Sequence, residues 1–198
     1  MIRNKIIVIT GDLASGKSTV LKILKEFNNI VINTDDLARD IYGIIDVNIK
    51  TINLFGKDIL DLSGKIDRKK LRDKLIENPD KVEKLNEITH PIIMKRVRNE
   101  IDKYEGEKVF VEIPLYFESK EIIEKFIEVD YVVYIRSSYD TRLDRLMKRS
   151  SLDKNSARKF MDLQMPEEYK KKNADYIIEN NGNLSDLKQN IHNLLKKI

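Results

Sequence analysis

Residues 11–18 read GDLASGKS and match the pattern G-x-x-x-x-G-K-[ST] at every fixed position. The apolar, β-branched run Lys5–Thr10 precedes them and predicts a buried strand. Apolar residues within Thr19–Phe27 recur at helical spacing, which predicts an amphipathic helix directly afterwards. Because the pattern requires a strand before it and a helix after it, the sequence predicts a phosphate-binding loop (P-loop) at Gly11–Ser18.

The residue types in this loop suit a triphosphate. Gly11 and Gly16 let the backbone curl so that successive N–H groups converge on phosphate oxygens, and the following helix directs its positive end at the same anion. The Lys17 ammonium can reach the β- and γ-phosphates, and the Ser18 hydroxyl can join a magnesium shell. The predicted ATP-binding residues of this segment are Gly11, Asp12, Leu13, Ala14, Ser15, Gly16, Lys17, Ser18 and Thr19.

Beyond this loop, short apolar runs alternate with helical patterns along the chain. Such alternation favours a mostly parallel sheet with helices on both faces. We therefore predict a three-layer α/β fold of the P-loop NTPase type, with a five-stranded sheet and a closing helix at Leu184–Leu195. The predicted strands are Lys5–Thr10, Ile30–Ile32, Val109–Val111, Val129–Ile135 and Tyr176–Ile178.

The stretch between the second and third predicted strands is far longer than a simple crossover, which needs about a dozen residues. We predict one domain over residues 1–198 with a helical insertion at about residues 40–107, facing the end of the sheet where ligands bind. The alternative is a structural decoration. The predicted helices of the insertion are Ile49–Phe55, Arg68–Ile76, Val82–Thr89 and Ile92–Ile101.

The composition indicates a globular protein with anionic ligands. The chain has 198 residues, a formal net charge of +4 and a hydrophobic share of 41%. Because acidic and basic residues are interleaved along the chain, small phosphorylated ligands are favoured and nucleic acid is not expected. No apolar stretch is long enough for a membrane span, and there is no cysteine. We expect a cytoplasmic protein without membrane contact, and a monomer or weak homo-oligomer.

The turn Asn33–Arg39 follows the second predicted strand. Parallel topology places it near the P-loop, since both lie at carboxyl ends of strands. There Asp35 can orient an acceptor hydroxyl and take its proton. The alternative is that Asp35 or Asp36 caps the next helix.

Glu112 ends the third predicted strand, where a carboxylate can hold magnesium through water. Together with Ser18 it forms the predicted Mg²⁺ site, and Mg²⁺ is the predicted cofactor, with ATP as co-substrate. The alternative is a strand-end carboxylate in a solvated turn. No N-K-x-D tetrapeptide for guanine recognition occurs in the sequence.

Further ordered segments extend over nearly the whole chain. After Thr10–Ser18 these are Ile32–Arg39 (INTDDLAR), Gly64–Leu71 (GKIDRKKL), Leu85–Pro91 (LNEITHP), Glu112–Glu118 (EIPLYFE), Gln164, Ala174–Asp175 and Asn180–Gly182. In this combination the chain resembles the dephospho-coenzyme A kinases, whose patterns begin T-G-G-I-x-S-G-K-S and I-D-A-D-x-x-A-R.

The resemblance implies phosphoryl transfer from ATP to the ribose 3′-hydroxyl of dephospho-coenzyme A, with those two molecules as partners. It implies catalytic roles for Asp35 and Lys17, and for Arg149 on a lid at about residues 145–170. It also adds Arg149, Asn181 and Gly182 to the ATP-binding residues. Acceptor binding, by the insertion and the strand ends, is assigned to Thr10, Asp35, Arg39, Arg68, His90, Pro114 and Leu115. The alternative for Arg39 and Arg68 is pairing with nearby acidic residues.

Arg142, Arg145 and Arg149 share one face of a predicted helix, because they are spaced i, i+3 and i+7. We assign the phosphate role to Arg149 and a solvated, non-catalytic position to Arg142. His90 is predicted to lie in a turn before a proline, where packing or capping is favoured over catalysis. His192 is predicted to face solvent.

Three residues depart from the family pattern. Asp12 replaces a glycine and brings a carboxylate near the phosphates; pointing outward it would be harmless, and pointing inward it would weaken ATP binding. Asn33 replaces an aspartate and so removes a carboxylate from the acceptor site, and Glu112 replaces an aspartate with a longer side chain. The retained Asp35 favours catalysis, with reduced activity or a shifted acceptor as alternatives.

Two other functions stay open. A kinase for a nucleoside monophosphate or a sugar would share the fold and the ATP site and differ only in its acceptor pocket. A catalytically weak nucleotide-binding regulator would use its basic surface on nucleic acid, and its binding would be salt-sensitive.

Overall fold

The computed structural model describes residues 2–150 and 153–198, and within them five strands form a sheet in which every neighbouring pair is parallel. The strand order is β2-β3-β1-β4-β5. The predicted parallel five-stranded sheet is therefore confirmed, with strand ends shifted by up to two residues. The strands are β1 Lys5–Gly11, β2 Ile30–Asn33, β3 Lys108–Glu112, β4 Tyr131–Arg136 and β5 Tyr176–Glu179.

The helices described are α1 Lys17–Glu26, α2 Thr34–Leu37, α3 Ile45–Phe55, α4 Arg68–Glu77, α5 Val82–Ile101, α6 Lys120–Ile123, α7 Tyr139–Ser150, α8 Lys154–Met161, α9 Glu167–Asn173 and α10 Leu184–Leu195. None of these helices is both long and apolar enough to cross a membrane.

The sheet is buried on both faces because successive side chains of a strand alternate between them. Ile7 and Ile9 of β1 pack with α1 and α10 in one apolar cluster. Ile6 and Val8 pack on the opposite face with residues of α5 and α6. This three-layer arrangement brings the carboxyl ends of all five strands to one edge, where ligands of such sheets bind.

Helices α2 to α5 fill the long connection between β2 and β3. Phe55, Ile59, Leu71 and Leu85 form a small apolar cluster that is separate from the two clusters on the sheet. The predicted helical stretch at residues 40–107 is thus helical, and its function as an acceptor-binding insertion stays a prediction.

Helix α5 corrects the sequence-based prediction of two helices separated by a turn at Pro91. It runs unbroken from Val82 to Ile101 with Pro91 inside. A proline inside a helix removes one backbone donor and crowds the carbonyl group four residues earlier, and burial of a continuous stripe compensates for that cost. The buried residues of the stripe are Leu85, Thr89, Met94, Val97 and Ile101.

Candidate active site

The P-loop wraps tightly between β1 and α1. Gly16 adopts a left-handed conformation with φ 94° and ψ 23°, which glycine tolerates without strain. A Cβ at this position would clash with the side-chain amide of Asn180, whose Nδ2 donates to the Ser15 carbonyl at 2.8 Å. The glycine at position 16 is therefore required by both backbone conformation and close packing.

Lys17 lies at the start of α1 with its ammonium folded back over the loop. Its Nζ donates to the carbonyl oxygens of Gly11 at 2.7 Å and Asp12 at 3.0 Å. Withdrawal from water lowers the pKa of Lys17 to about 8, and nearby carboxylates, Glu112 foremost, oppose that shift. The side chain thus stays cationic at neutral pH and available to an anion.

Asp35 lies in the first turn of α2 and is exposed to the site. Its backbone N–H donates to Asn33 Oδ1 at 2.8 Å, so Asn33 caps this helix. The alternative in which Asp35 or Asp36 is the cap is therefore wrong. Asp36 instead pairs with Arg39 at 2.6 Å. The carboxylate of Asp35 is left free of a capping role.

Glu112 ends β3 directly beside Asn33, its register partner on β2. The residue is only 4% exposed, so the alternative of a solvated turn is wrong. Burial raises the pKa of Glu112 to about 7, and the Lys17 ammonium opposes the rise. No donor among residues 2–150 and 153–198 hydrogen-bonds this carboxylate, which suits it to a cation.

A cavity of about 800 Å³ lies over the P-loop and extends toward the helical insertion. It brings together the predicted residues of the two substrates. Those on its wall are Leu13, Ala14, Ser15, Gly16, Lys17, Ser18, Thr19, Asp35, Glu112, Pro114, Leu115, Arg149 and Gly182. The P-loop after β1 and the Asp35 turn after β2 therefore face the same space.

Other predicted residues lie outside the lining of this cavity. Thr10 is buried and its Oγ1 donates to the Pro114 carbonyl at 3.3 Å, so it supports the wall from behind. The Arg68 guanidinium donates to the carbonyl oxygens of Ala38 at 2.8 Å and Arg39 at 2.6 Å. Arg39 pairs with Asp36, as the alternative of pairing with an acidic residue predicted for it. That Arg39 and Arg68 contact the acceptor stays a prediction.

His90 lines a second, smaller cavity of about 150 Å³, together with Asp35, Pro114 and Leu115. It lies within α5, so its predicted placement in a turn is wrong. Burial lowers the pKa of His90 to about 4, which keeps the imidazole neutral at physiological pH. The other histidine, His192, is exposed on α10 as predicted.

The three arginines of α7 have different surroundings. Arg142 is 6% exposed and its Nη1 lies 3.3 Å from Asp12 Oδ2, so the predicted solvated position is wrong. Arg145 Nη1 donates to Ser137 Oγ at 3.1 Å, and its side chain lines the cavity beside the P-loop. Arg149 also lines the cavity, and residues 151 and 152 of the predicted lid lie outside the described residues.

A family model described as Dephospho-CoA kinase matches residues 5–186. The chain is 38% identical over 193 residues to the dephospho-CoA kinase of Fusobacterium nucleatum, and the alignment covers 98% of each chain. The chain belongs to the dephospho-CoA kinase family. The resemblance predicted from the ordered motifs is therefore confirmed over nearly the whole length.

Solved structures agree with membership in the dephospho-CoA kinase family. The Thermus thermophilus protein TT1252 has a TM-score of 0.78 at 29% identity, and the alignment covers 99% of this chain and 98% of that one. The dephospho-CoA kinase from Campylobacter jejuni has a TM-score of 0.58 at 28% identity, with 98% and 97% covered. The predicted α/β fold of a P-loop kinase is thus confirmed.

Sequence reasoning on this dephospho-CoA kinase family member overlooked several residues of the site. Arg145, Asn180 and Phe160 line the cavity, and Gln164, noted only as part of a pattern, accepts the Leu13 N–H at 2.7 Å. Each contacts the P-loop or its cavity from more than a hundred residues away in the chain. The motif signal at Gln164 and Asn180 could have indicated them, as could the position of Arg145 on the same helix face as Arg149, whereas Phe160 had no local signature.

Proposed function

We propose that this member of the dephospho-CoA kinase family transfers the γ-phosphoryl group of ATP to the ribose 3′-hydroxyl of dephospho-CoA. The observation that carries the proposal is the shared cavity: the P-loop forms one side and Asp35, with Pro114 and Leu115, forms another. A volume of about 800 Å³ lies within the range of small-molecule and cofactor sites.

The nucleotide would bind at the P-loop. Backbone N–H groups of Gly11–Ser18 would hold the phosphates, and Lys17 would turn from its loop carbonyls to the β- and γ-phosphates. Arg145 and Arg149 would add positive charge where charge develops on the transferred group. Gly182 lines the cavity just before α10, and together with Asn181 it would contact the nucleotide.

The acceptor would bind between Asp35 and the helical insertion. Asp35 would orient the 3′-hydroxyl and accept its proton, and the proximity of P-loop and carboxylate favours in-line attack. Apolar residues on α4 and α5 continue the wall away from the P-loop and suit the less polar arm of the acceptor. These residues are Leu75, Val82 and Leu85.

A magnesium ion with ATP fits the residues present. Ser18 and the buried Glu112 carboxylate both line the cavity, and a hard cation takes such oxygen ligands along with phosphate oxygens. Among the described residues no three acidic, histidine or cysteine side chains cluster as a metal site, which agrees with an ion held chiefly by nucleotide and water. When bound, Mg²⁺ neutralises charge on the phosphates.

The lid at about residues 145–170 and the insertion at about residues 40–107 would close over the substrates. A contact between α8, within the proposed lid, and α4, within the proposed insertion, supports closure at this point. Closure would exclude water, which competes with the acceptor for the phosphoryl group. The absence of cysteine supports a cytoplasmic setting, and a monomer or weak homo-oligomer is proposed.

The test is an assay of purified protein with ATP, Mg²⁺ and a panel of acceptors. Dephospho-CoA should give CoA and ADP, with AMP, shikimate and gluconate much poorer acceptors. Faster turnover of AMP, shikimate or gluconate would show that the proposed acceptor is wrong and that the protein is nonetheless a kinase. Salt-sensitive binding to DNA or RNA with no transfer to any acceptor would favour the regulator instead.

A further inference from the structure

Asp12 is the P-loop residue that stands where the family pattern has glycine, and its carboxylate does not line the cavity. The residue is 2% exposed. Its oxygens accept a hydrogen bond from the Tyr134 hydroxyl at 2.6 Å and pair with Lys170 Nζ at 2.9 Å. Arg142 adds a second cation at 3.3 Å. The carboxylate is thus neutralised inside the protein.

Lys170 connects this carboxylate to the acceptor side of the site. Its side chain is 2% exposed, and Nζ lies 2.8 Å from Glu118 Oε1 as well as 2.9 Å from Asp12 Oδ1. Glu118 ends the segment that begins with Glu112 and passes through the cavity-lining Pro114 and Leu115. One buried ammonium therefore joins the P-loop to the wall beside Asp35.

A second tether runs parallel to the first. Gln164 Oε1 accepts the Leu13 N–H at 2.7 Å, and the Met165 N–H donates to Glu118 Oε1 at 3.1 Å. Residues 164–170, which follow α8 and enter α9, thus hold P-loop residues 12 and 13 and the acceptor-side turn together. Charged pairs shielded from water keep such contacts short and directional.

The position of the Asp12 main chain matters directly to the ATP site. Its carbonyl and that of Gly11 are the two acceptors of the Lys17 ammonium. A shift of residue 12 would therefore move both the loop N–H groups and the resting position of Lys17. By contrast, a free carboxylate at this position would act only by repelling phosphate.

We propose that Asp12 and Lys170 are a positioning pair that fixes the P-loop against the segment returning from the lid. On this proposal, the departure from glycine assists ATP binding instead of opposing it. The inference rests on the proposed use of ATP by this site. The wild-type assay tests that use, whereas the variants below test only the pair.

The deciding variant is Asp12→Asn, because positioning by Asp12 and repulsion by Asp12 predict opposite changes in KM for ATP. Loss of a positioning charge should raise KM for ATP about tenfold, equivalent to about 1.4 kcal/mol. KM for dephospho-CoA should stay within about twofold, since acceptor contacts are kept. Loss of mere repulsion would lower KM for ATP, and that result, or an unchanged value, would overturn the proposal.

Lys170→Met, alone and combined with Asp12→Asn in a double variant, distinguishes an effect on the position of the P-loop from an effect of charge on ATP. Lys170→Met should also raise KM for ATP, and Lys170→Arg should restore part of the loss. The double variant removes one charge of each sign, so a purely electrostatic effect would return KM for ATP to the wild-type value. A KM that stays raised supports the pair. The exposed neighbour Lys172→Met is the matched control and should leave both KM values unchanged.

Stability is measured alongside by thermal unfolding, because removal of one partner from a buried ion pair is destabilising. Loss of folded protein lowers apparent kcat and leaves both KM values unchanged, so the KM for ATP reports positioning alone. Where the charge variants do not fold, Tyr134→Phe removes only one hydrogen bond to Asp12. It should raise KM for ATP about threefold, less than the full effect of a hydrogen bond to a charged group, because Asp12 keeps its pairs with Lys170 and Arg142. An unchanged KM would overturn the proposal.

Discussion

Asp35 is the residue that we propose as the base, and its substitution should separate catalysis from nucleotide binding. Its helix is capped by Asn33, so the carboxylate makes no capping contact that a substitution would remove. Asp35→Asn should therefore leave the fold and the KM for ATP unchanged. Turnover should fall by about 10²- to 10⁴-fold, the contribution of a positioned base.

Steady-state kinetics with dephospho-CoA checks this expectation. Asp36→Asn is the matched control, because Asp36 is the neighbouring exposed carboxylate and pairs with Arg39 on the surface. It should keep near-full turnover. Equal losses from the two substitutions would show that helix α2, and not the Asp35 carboxylate, is what turnover requires.

Glu112 should lower the free energy of unfolding of the nucleotide-free enzyme, by an amount that depends on pH. Its pKa is about 7 in the folded state against an ordinary 4.5, so below pH 4.5 it is protonated in both states and contributes nothing. As pH rises from 4.5 to 7 the unfolded chain loses its proton first, and the free energy of unfolding falls. The full cost, up to about 3 kcal/mol, is present above pH 7.

Glu112→Gln should accordingly raise the Tm at pH 8 and leave it nearly unchanged at pH 4, measured without nucleotide. The exposed Glu121→Gln is the control and should change the Tm at neither pH. A Tm gain for Glu112→Gln that is equal at both pH values would contradict a raised pKa as its cause.

At the scale of elements, helix α7 carries two arginines, Arg142 and Arg149, for which we predict separate functions. Arg142 donates through Nε to the Ser137 carbonyl at 3.1 Å and faces the buried Asp12. Arg142→Ala should lower the free energy of unfolding by about 3 kcal/mol, because it breaks a buried ion pair from one side. Arg149→Ala should leave the Tm unchanged and reduce kcat about 10²-fold through lost charge stabilisation.

Thermal unfolding and turnover, measured on both variants, check this division. A stable Arg142→Ala protein with full activity would contradict the structural role of that side chain. An Arg149→Ala protein with full activity would show that the phosphate role belongs to Arg145, its neighbour one turn earlier on the cavity wall.

Local sequence patterns predicted the sheet, the P-loop and the Asp35 turn, because each depends on a few adjacent residues. The errors at Arg142 and at Pro91 concern contacts between distant residues. The burial of Arg142 depends on Asp12, and helix α5 continues through Pro91 because its stripe is covered by the sheet and by the insertion. The periodicity of α7 and α5 does not predict these contacts, since amphipathic spacing shows which face of a helix is apolar and not which residues pack against it.

At the scale of the whole molecule, catalysis requires that the two sides of the cleft exclude water together. Helix α8 lies in the proposed lid and α4 in the helical insertion, and the two helices contact each other. Phe160 of α8 lines the same cavity as Leu75 and Leu85 of the insertion, so apolar side chains from both sides border the cleft. Water admitted there would compete with the 3′-hydroxyl for the phosphoryl group.

Phe160→Ser should therefore uncouple ATP use from CoA formation. ADP release without acceptor should rise about three- to tenfold, because the lid no longer keeps water from the phosphates, while KM for ATP changes little. The measurement is ADP and CoA formed in the same reaction. Lys159→Ser, on the exposed side of the same helix, should keep the two products equal. If Phe160→Ser lowered both products equally, the side chain would support the fold of the lid, and water exclusion would belong to other residues.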